Sequence, residues 1–432
     1  AFPCTPVRNL LQGSKSLLYR ASHSALGGRL GHSYSPAIHA MLGDYEYRLC
    51  EKTPEEVGRF LTGGDFDGLN VTIPYKKTVM PFCAELSETA RRVGCVNTIV
   101  RRPDGTLFGD NTDVFGFSQM VLHSGVPVQG RKALVFGSGG ASGTACDVLR
   151  RMGAEVVQIS RSGEDNYENL ERHADAQILV NTTPLGMYPN NGTAPVTLER
   201  FPDCALVLDV VYNPARTALL LEAERRGIPH AGGLEMLVAQ AARSSELFTG
   251  RAVPDGRIAE ITKKTALSMQ NIVLIGMPGC GKSMVGRLLA ERLGRELLDA
   301  DAAVEAAAGC TIPEIFAQGG EAAFRRLETQ ALEELGKRSG CVIATGGGCV
   351  TRAENYPLLH QNSVIVWLQR DTARLPSKGR PLSQNADLAA MYAVRAPLYA
   401  RFSDCSKGTR SRFSLMCFTG RGAPSTRESK ML

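Results

Sequence analysis

The run Asn271-Ile-Val-Leu-Ile275 leads directly into Gly276-Met-Pro-Gly-Cys-Gly281-Lys282-Ser283. An apolar strand entering a GxxxxGK[ST] loop, with a helix from Met284 to Leu293 behind it, is the pattern of a phosphate-binding loop. Backbone N–H groups of such a loop converge on one concavity and the helix N-terminus adds partial positive charge. Lys282 then reaches the β/γ-phosphates, and the Ser283 hydroxyl suits Mg²⁺. Gly276, Gly279, Cys280, Gly281, Lys282, Ser283 and Met284 are therefore expected to hold a nucleoside triphosphate within an α/β domain.

That domain fills only part of a 432-residue chain. At roughly 150 residues per domain, about three domains are expected. A second βαβ pattern lies upstream, with strand Lys132-Ala-Leu-Val-Phe136, a Gly-rich turn, a helix ending near Gly153 and strand Glu155 to Ile159. Its turn, Gly137-Ser-Gly139-Gly140-Ala141-Ser142-Gly143, departs from GxGxxG at Ser142, yet its setting between strand and helix marks a dinucleotide site. The next strand ends in Ser160-Arg161-Ser162 where an NAD site would place an acid, which favours a 2′-phosphate and hence NADP. Gly163-Glu164-Asp165 follows and adds no second arginine.

Downstream of the phosphate loop stand Asp299 and Asp301, then Arg325 and Arg326, then Ala344-Thr-Gly346-Gly347-Gly348 after a short strand. Phosphoryl transfer needs carboxylates for the metal and acceptor hydroxyl, arginine forks for anions, and backbone that approaches phosphate closely. Across about residues 271 to 404 the sequence resembles shikimate kinase. The resemblance implies that Asp299 lies near Mg²⁺ with Ser283, that Asp301 binds the acceptor diol, and that Arg325 of Phe-Arg-Arg-Leu-Glu binds the shikimate carboxylate beside Gly347 and Gly348. It adds Arg380 from a lid segment and Arg395 from Arg395-Ala-Pro-Leu-Tyr, contacting phosphates and carboxylate. Lys282, Asp301 and Arg380 are the implied catalytic residues.

Near the other end are Gly31-His32-Ser33-Tyr-Ser35-Pro, Asn70-Val-Thr72-Ile-Pro-Tyr-Lys76, Cys95-Val-Asn97-Thr and Gly109-Asp-Asn-Thr-Asp113. These are polar residues at strand ends, where α/β folds gather ligands. With Asn181-Thr182-Thr-Pro, Asp209-Val-Val-Tyr212 and Leu237-Val-Ala-Gln240, they resemble shikimate dehydrogenase through about residues 25 to 250. The resemblance implies Lys76 and Asp113 as the catalytic pair. Ser33, Ser35, Thr72, Asn97, Tyr212 and Gln240 would hold the substrate, and Gly137, Gly139, Gly140, Ala141, Ser142, Ser160, Arg161, Asn181, Thr182 and Gly233 the NADP(H). Lys77 is passed over, because the motif falls on Lys76. His32 and His39 read as structural, having no partner at metal-ligand spacing.

Together the resemblances imply an α/β chain: a shikimate dehydrogenase-type catalytic domain (25–126, completed by helix 232–250) and a Rossmann NADP-binding domain (127–231). A P-loop NTPase domain like the nucleoside monophosphate kinases follows (271–404). Residues 1–24 read as an extension, 251–270 as a linker of little apolar periodicity, and 405–432 as an atypical, disordered tail. Most of the net charge of +6 collects in that tail, which carries six basic residues against Glu428 alone. The near-neutral body gives no reason to expect nucleic-acid binding, and no apolar run approaches the ~18 residues of a membrane span. Twelve scattered cysteines without CxxC spacing point to reduced thiols and a cytoplasmic setting. The acid-poor stretch before Asp44 leaves a plastid transit segment as the alternative. The implied function is NADPH reduction of 3-dehydroshikimate followed by ATP-dependent phosphorylation of shikimate, with Mg²⁺, by a monomer or homodimer. The alternative is a shikimate/quinate dehydrogenase carrying a non-catalytic kinase-like module.

Overall fold

The computed structural model describes residues 22–28, 30–31, 33–371 and 388–408. The chain divides into two compact units, Ala1–Thr262 and Lys263–Leu432.

The first unit holds two sheets. One is built from β1 (Ser22–Gly27), β2 (Glu46–Glu51), β3 (Gly68–Val71), β4 (Glu85–Leu86), β5 (Thr98–Arg101) and β6 (Leu107–Asp110), in the order β2-β1-β3-β5-β6-β4. It is mixed: β1 pairs in parallel with β2 and β3, whereas β5 runs antiparallel to β3 and β6. Helices α1 (Ser35–Leu42), α2 (Pro54–Gly63) and α3 (Glu88–Val93) lie between its strands. Proline at the first turn and a Thr53/Glu56 capping box start α2. Helix α4 (Asp113–His123) leads to the second sheet, which is wholly parallel: β7 (Lys132–Phe136), α5 (Gly140–Arg151), β8 (Glu155–Ile159), β9 (Ile178–Asn181), β10 (Leu206–Asp209), α6 (Ala218–Arg226) and β11 (His230–Gly232). Its order, β11-β10-β9-β7-β8, reverses direction between β7 and β9, the crevice where doubly wound folds bind ligands. Helix α7 (Leu234–Thr249) returns to the first sheet. A Cβ on Gly116 of α4 would sit 3.1 Å from Gln240 Cβ, so this glycine lets α4 and α7 pack closely.

The second unit contains β12 (Asn271–Ile275), α9 (Lys282–Leu293), β13 (Leu297–Asp299), α10 (Ala300–Ala308), α11 (Ile312–Gly336), β14 (Val342–Ala344), α12 (Asn355–His360), β15 (Ser363–Gln369), α13 (Leu388–Phe402) and β16 (Cys405–Gly408). All five strands are parallel, in the order β13-β14-β12-β15-β16. The central strand β12 is buried throughout, as a strand covered by helices on both faces must be. Helix α11 is broken at Gly320, whose backbone leaves the helical region (φ 67°, ψ −170°).

Two segments depart from the sequence reading. Residues expected as a linker form helix α8 (Asp255–Met269), within which the boundary between the units falls. Its buried residues, Ile258, Ile261, Thr265 and Met269, recur at helical spacing but make a stripe one residue wide, interrupted by a threonine and flanked by charge. The start of the expected patternless tail is strand β16, whose sequence has little apolar content and whose form comes from pairing with β15. The Asp404 carboxylate accepts from Ile365 N at 2.7 Å, and Asp404 N donates to Ile365 O at 2.9 Å, which fixes that register. Residues 409–432 lie outside the described residues, as do 1–21. Among the described residues no helix is long and apolar enough to cross a membrane.

Two candidate active sites

Lys76 leaves the turn after β3, and Asp113 opens α4, where a helix N-terminus favours a carboxylate. The two meet, Lys76 Nζ donating to Asp113 Oδ2 at 2.5 Å. Burial works against the Lys76 charge, but the Asp113 carboxylate outweighs it and holds the ammonium above the usual lysine range. A Cβ on Gly140 would lie 3.5 Å from Lys76 Cδ and 3.3 Å from Cys95 Sγ, so the dinucleotide turn rests directly against the pair.

Asn97, from the segment entering β5, accepts from Thr112 N at 2.7 Å and donates to Thr112 Oγ1 at 3.0 Å and Gln240 Oε1 at 3.5 Å. That ties the substrate side to Asp113 through its neighbour. Behind it Ser244 of α7 joins Asn70 (2.7 Å), Thr98 (2.9 Å) and Thr112 (3.0 Å), and Tyr47 donates to Asn70 Oδ1 at 2.8 Å. Burial lifts the Tyr47 phenol, keeping it a donor, and Ser35 is its other hydrogen-bond neighbour. Ser33 Oγ accepts from Ser35 N at 3.3 Å, and Tyr212 stands edge-on to Tyr34 with centroids 6.2 Å apart. Thr72 is fixed through its backbone to Leu26 O at 2.9 Å, under a Gly27 whose added Cβ would meet its methyl. His39 is structural, stacked on Tyr47 at 3.9 Å and bonded to Tyr45 OH at 2.6 Å, while His32 lies outside the described residues. Among the described residues no cluster of His, Cys, Asp and Glu could hold a metal ion.

The dinucleotide turn explains its own departure from GxGxxG. Ser142 is buried, and its hydroxyl donates to Gly137 O at 2.8 Å and accepts from Gln158 Nε2 at 2.8 Å, closing the turn from within. Gly137 has φ 127° and leaves no room for a Cβ opposite Thr182 Oγ1, which itself donates to Phe136 O at 2.6 Å. Nothing lies within 4 Å of a Cβ built on Gly139, the residue before α5, so the open helix N-terminus fits a pyrophosphate. Ala141 lies in the first turn of α5. Arg161 is exposed just past β8 and Ser160 beside it is half-buried. Asn181 is wholly buried, its amide spent on Leu185 O (3.2 Å) and Asp209 Oδ1 (3.0 Å), so it builds the loop from behind. Burial lifts the Asp209 carboxyl to about 6 against hydrogen bonds from Thr217, Val211 and Asn181. Gly233 precedes α7, pressed so closely on Val210 O that no side chain would fit.

In the second unit Gly276, Gly279 and Gly281 take positive φ angles (143°, 81° and 102°), turning the backbone around the mouth of α9. Lys282 is buried and donates to Gly276 O at 2.9 Å and Met277 O at 3.1 Å. Cys280 is buried under the loop, whereas Met284 points to solvent. Ser283 Oγ donates to Asp299 Oδ2 at 2.9 Å, and Asp299 Oδ1 caps α10 by accepting from Asp301 N at 3.0 Å. This pair of oxygen donors fits a hard divalent cation. Asp301 stands exposed in the first turn of α10, two residues after the Asp299 cap. The Gly346-Gly347-Gly348 turn allows three close approaches. A Cβ on Gly346 would meet Glu328 Oε1 at 2.5 Å and Asp301 Oδ1 at 2.9 Å, one on Gly347 would meet Pro278, and one on Gly348 would fall on the Arg325 guanidinium. Arg395 donates to Gly347 O at 3.2 Å, and Tyr399 donates to the same carbonyl. Arg380 lies outside the described residues.

Sequence reasoning missed Thr112 and Ser244, which link the substrate-side polar residues, and Glu328, Tyr399 and Arg370, which brace the kinase-type site. Glu328 and Tyr399 stand inside motifs already noted, three residues after Arg325 and four after Arg395, each on the same helix face. Arg370, which follows β15 and donates to Gly279 O at 3.3 Å, carries no such signal.

Residues 25–99 match the family model of the shikimate dehydrogenase substrate binding domain, residues 233–261 that of the shikimate 5′-dehydrogenase C-terminal domain, and residues 278–416 that of shikimate kinase. Among curated relatives, a shikimate dehydrogenase (NADP(+)) of Methanosarcina acetivorans is 35% identical over 271 residues, 56% of this chain and 95% of that protein. One of Shouchella clausii is 35% identical over 52% of this chain and 92% of its own. Among solved structures, shikimate dehydrogenase from Thermus thermophilus in complex with NADP(H) and shikimate has 31% identity and a TM-score of 0.52, covering 56% of this chain and 99% of that one. Quinate dehydrogenase from Corynebacterium glutamicum in complex with NAD has 26% identity and a TM-score of 0.52, over 56% and 98%. The chain belongs to the shikimate dehydrogenase family. Its C-terminal part is a shikimate kinase domain, so one chain joins an oxidoreductase to a kinase of the same pathway.

Proposed function

We propose that the first unit reduces 3-dehydroshikimate to shikimate with NADPH and that the second phosphorylates shikimate with MgATP. The observation that carries the first half is the Lys76–Asp113 pair resting against the glycine of the dinucleotide turn. NADPH, when bound, supplies a hydride. The alkoxide that hydride addition leaves at the carbonyl carbon takes its proton from the Lys76 ammonium, and Asp113 orients that ammonium and accepts from a neighbouring ring hydroxyl. Ser33, Ser35, Thr72, Asn97, Tyr212 and Gln240 hold the ring, with Ser244 and Thr112 bracing Asn97. The open start of α5 seats the pyrophosphate, and Arg161 with Ser160 receives the 2′-phosphate.

In the second unit Lys282 exchanges its two loop carbonyls for the β/γ-phosphates, and Ser283 with Asp299 supplies the Mg²⁺ ligands. Asp301 accepts the proton of the attacking ring hydroxyl. Arg325 and Arg395 hold the acceptor carboxylate beside Gly347 and Gly348, and the family resemblance adds Arg380 as a phosphate ligand.

The test is a single reaction of the purified chain with 3-dehydroshikimate, NADPH and MgATP. The expected result is NADPH oxidation followed by shikimate 3-phosphate. Accumulation of unphosphorylated shikimate would instead support a dehydrogenase carrying a kinase-like binding module. The structural likeness to a quinate dehydrogenase favours a second reading of the first unit as a shikimate/quinate enzyme, for which quinate with NAD⁺ is the discriminating assay.

A further inference from the structure

The guanidinium expected to receive the acceptor carboxylate is already engaged. Arg325 donates through Nη1 to Glu328 Oε2 at 2.7 Å, and through Nε and Nη2 to Glu321 Oε1 at 3.2 and 3.0 Å. One face lies over Gly348, where a Cβ would overlap it. An arginine offers a carboxylate its best fork along the Nε/Nη2 edge or across its two terminal nitrogens. Glu321 holds the first edge, and Glu328 takes one nitrogen of the second.

The two glutamates differ in their freedom to leave. The Glu328 side chain is 1% exposed, with one oxygen wedged against Gly346, so it has nowhere to go. The Glu321 side chain is 54% exposed. It is also the first residue after the break at Gly320 and so sits in the first turn of a new helical segment. The partial positive charge of a helix start favours a carboxylate there even when it has swung away from the arginine. Glu321 is the outer partner, able to rotate into solvent while Arg325 stays buried and paired with Glu328.

We propose that Glu321 is an internal stand-in for the substrate carboxylate: it occupies the Nε/Nη2 edge of Arg325 and is displaced when the acceptor docks. The arginine is thereby kept oriented and its free edge closed to stray anions, at a small cost in acceptor affinity. The inference rests on Arg325 being the acceptor-carboxylate ligand, as proposed above.

The experiment uses the full chain with Glu321→Gln and Glu321→Ala, measuring shikimate KM and kcat at saturating MgATP and inhibition by acetate, a carboxylate without a ring. A stand-in predicts that KM falls about 2- to 5-fold with kcat retained, and that acetate inhibits at correspondingly lower concentration. A KM that rises makes Glu321 a positioning residue for Arg325, and an unchanged KM makes it a bystander; either overturns the proposal. Arg325→Lys, measured alongside, separates the two levels. If that variant leaves shikimate KM unchanged, the assignment of Arg325 itself fails, whatever Glu321 does.

Discussion

At the scale of single residues, the sites are defined by where side chains are missing as much as by where they stand. Gly348 makes room for Arg325, and Gly346 for Glu328. Replacing Lys76 with Met removes the proton donor without unpairing the cofactor turn. NADPH-linked turnover is expected to fall by about 10²- to 10⁴-fold while NADPH binding, read by fluorescence titration, stays within about twofold. Gly348→Ala drives a methyl group into the guanidinium, so shikimate KM in the kinase assay is expected to rise by roughly tenfold or more, equivalent to about 1.4 kcal/mol, with ketone reduction untouched. Most charged groups were legible in the sequence because acid, base and phosphate chemistry admit few residue types. Ser142 was legible only as a departure from a pattern, since its bond to Gly137 O closes a turn that glycine would leave open. Ser244 was not legible: a hydroxyl joined to Thr112 more than a hundred residues away leaves no local trace.

At the scale of elements, strands and helices bounded by glycine loops were read correctly where burial is two-sided, as in β7 and β12. The helix α8 and the strand β16 escaped because one is anchored by a narrow stripe and the other by its neighbour's edge. Two elements of the first unit carry an acid-sensitive core. His23 of β1 stacks on Phe248 of α7 at 4.5 Å, and His39 of α1 on Tyr47 of β2 at 3.9 Å. Burial lowers His23 to about 4 and His39 to about 3. With unfolded values near 6.5, both fold neutral, so their contribution is complete above about pH 6.5 and is lost as pH falls toward 4. Asp209 of β10 runs the other way. Its carboxyl is lifted to about 6 by burial, so the native state binds the extra proton and β10 gains stability as pH falls through 6. Hydrogen exchange at pH 7 and pH 5, corrected for intrinsic rates, should show protection falling in β1 and α1 while it holds or rises in β9 and β10. Uniform loss across both sheets would refute the assignment.

At the scale of the whole molecule, the two units each have their own parallel sheet and their own phosphate-binding loop, and the described residues proposed for each site fall within one unit. The single tryptophan, Trp367 on β15, belongs to the second unit and stacks on Tyr399 at 5.7 Å. Its fluorescence therefore follows the kinase domain alone, and saturating shikimate is expected to shift it even in the Lys76→Met chain. The central claim is that one chain carries two separate active sites acting in sequence on one ring. The most direct measurement is both activities, ketone reduction by NADPH and ADP release with shikimate, in full-length Lys76→Met and Lys282→Met. The account predicts that each variant loses one activity and keeps the other within about twofold of the parent. Loss of both activities in either variant, or a chain whose ADP release is insensitive to Lys282→Met, would contradict it.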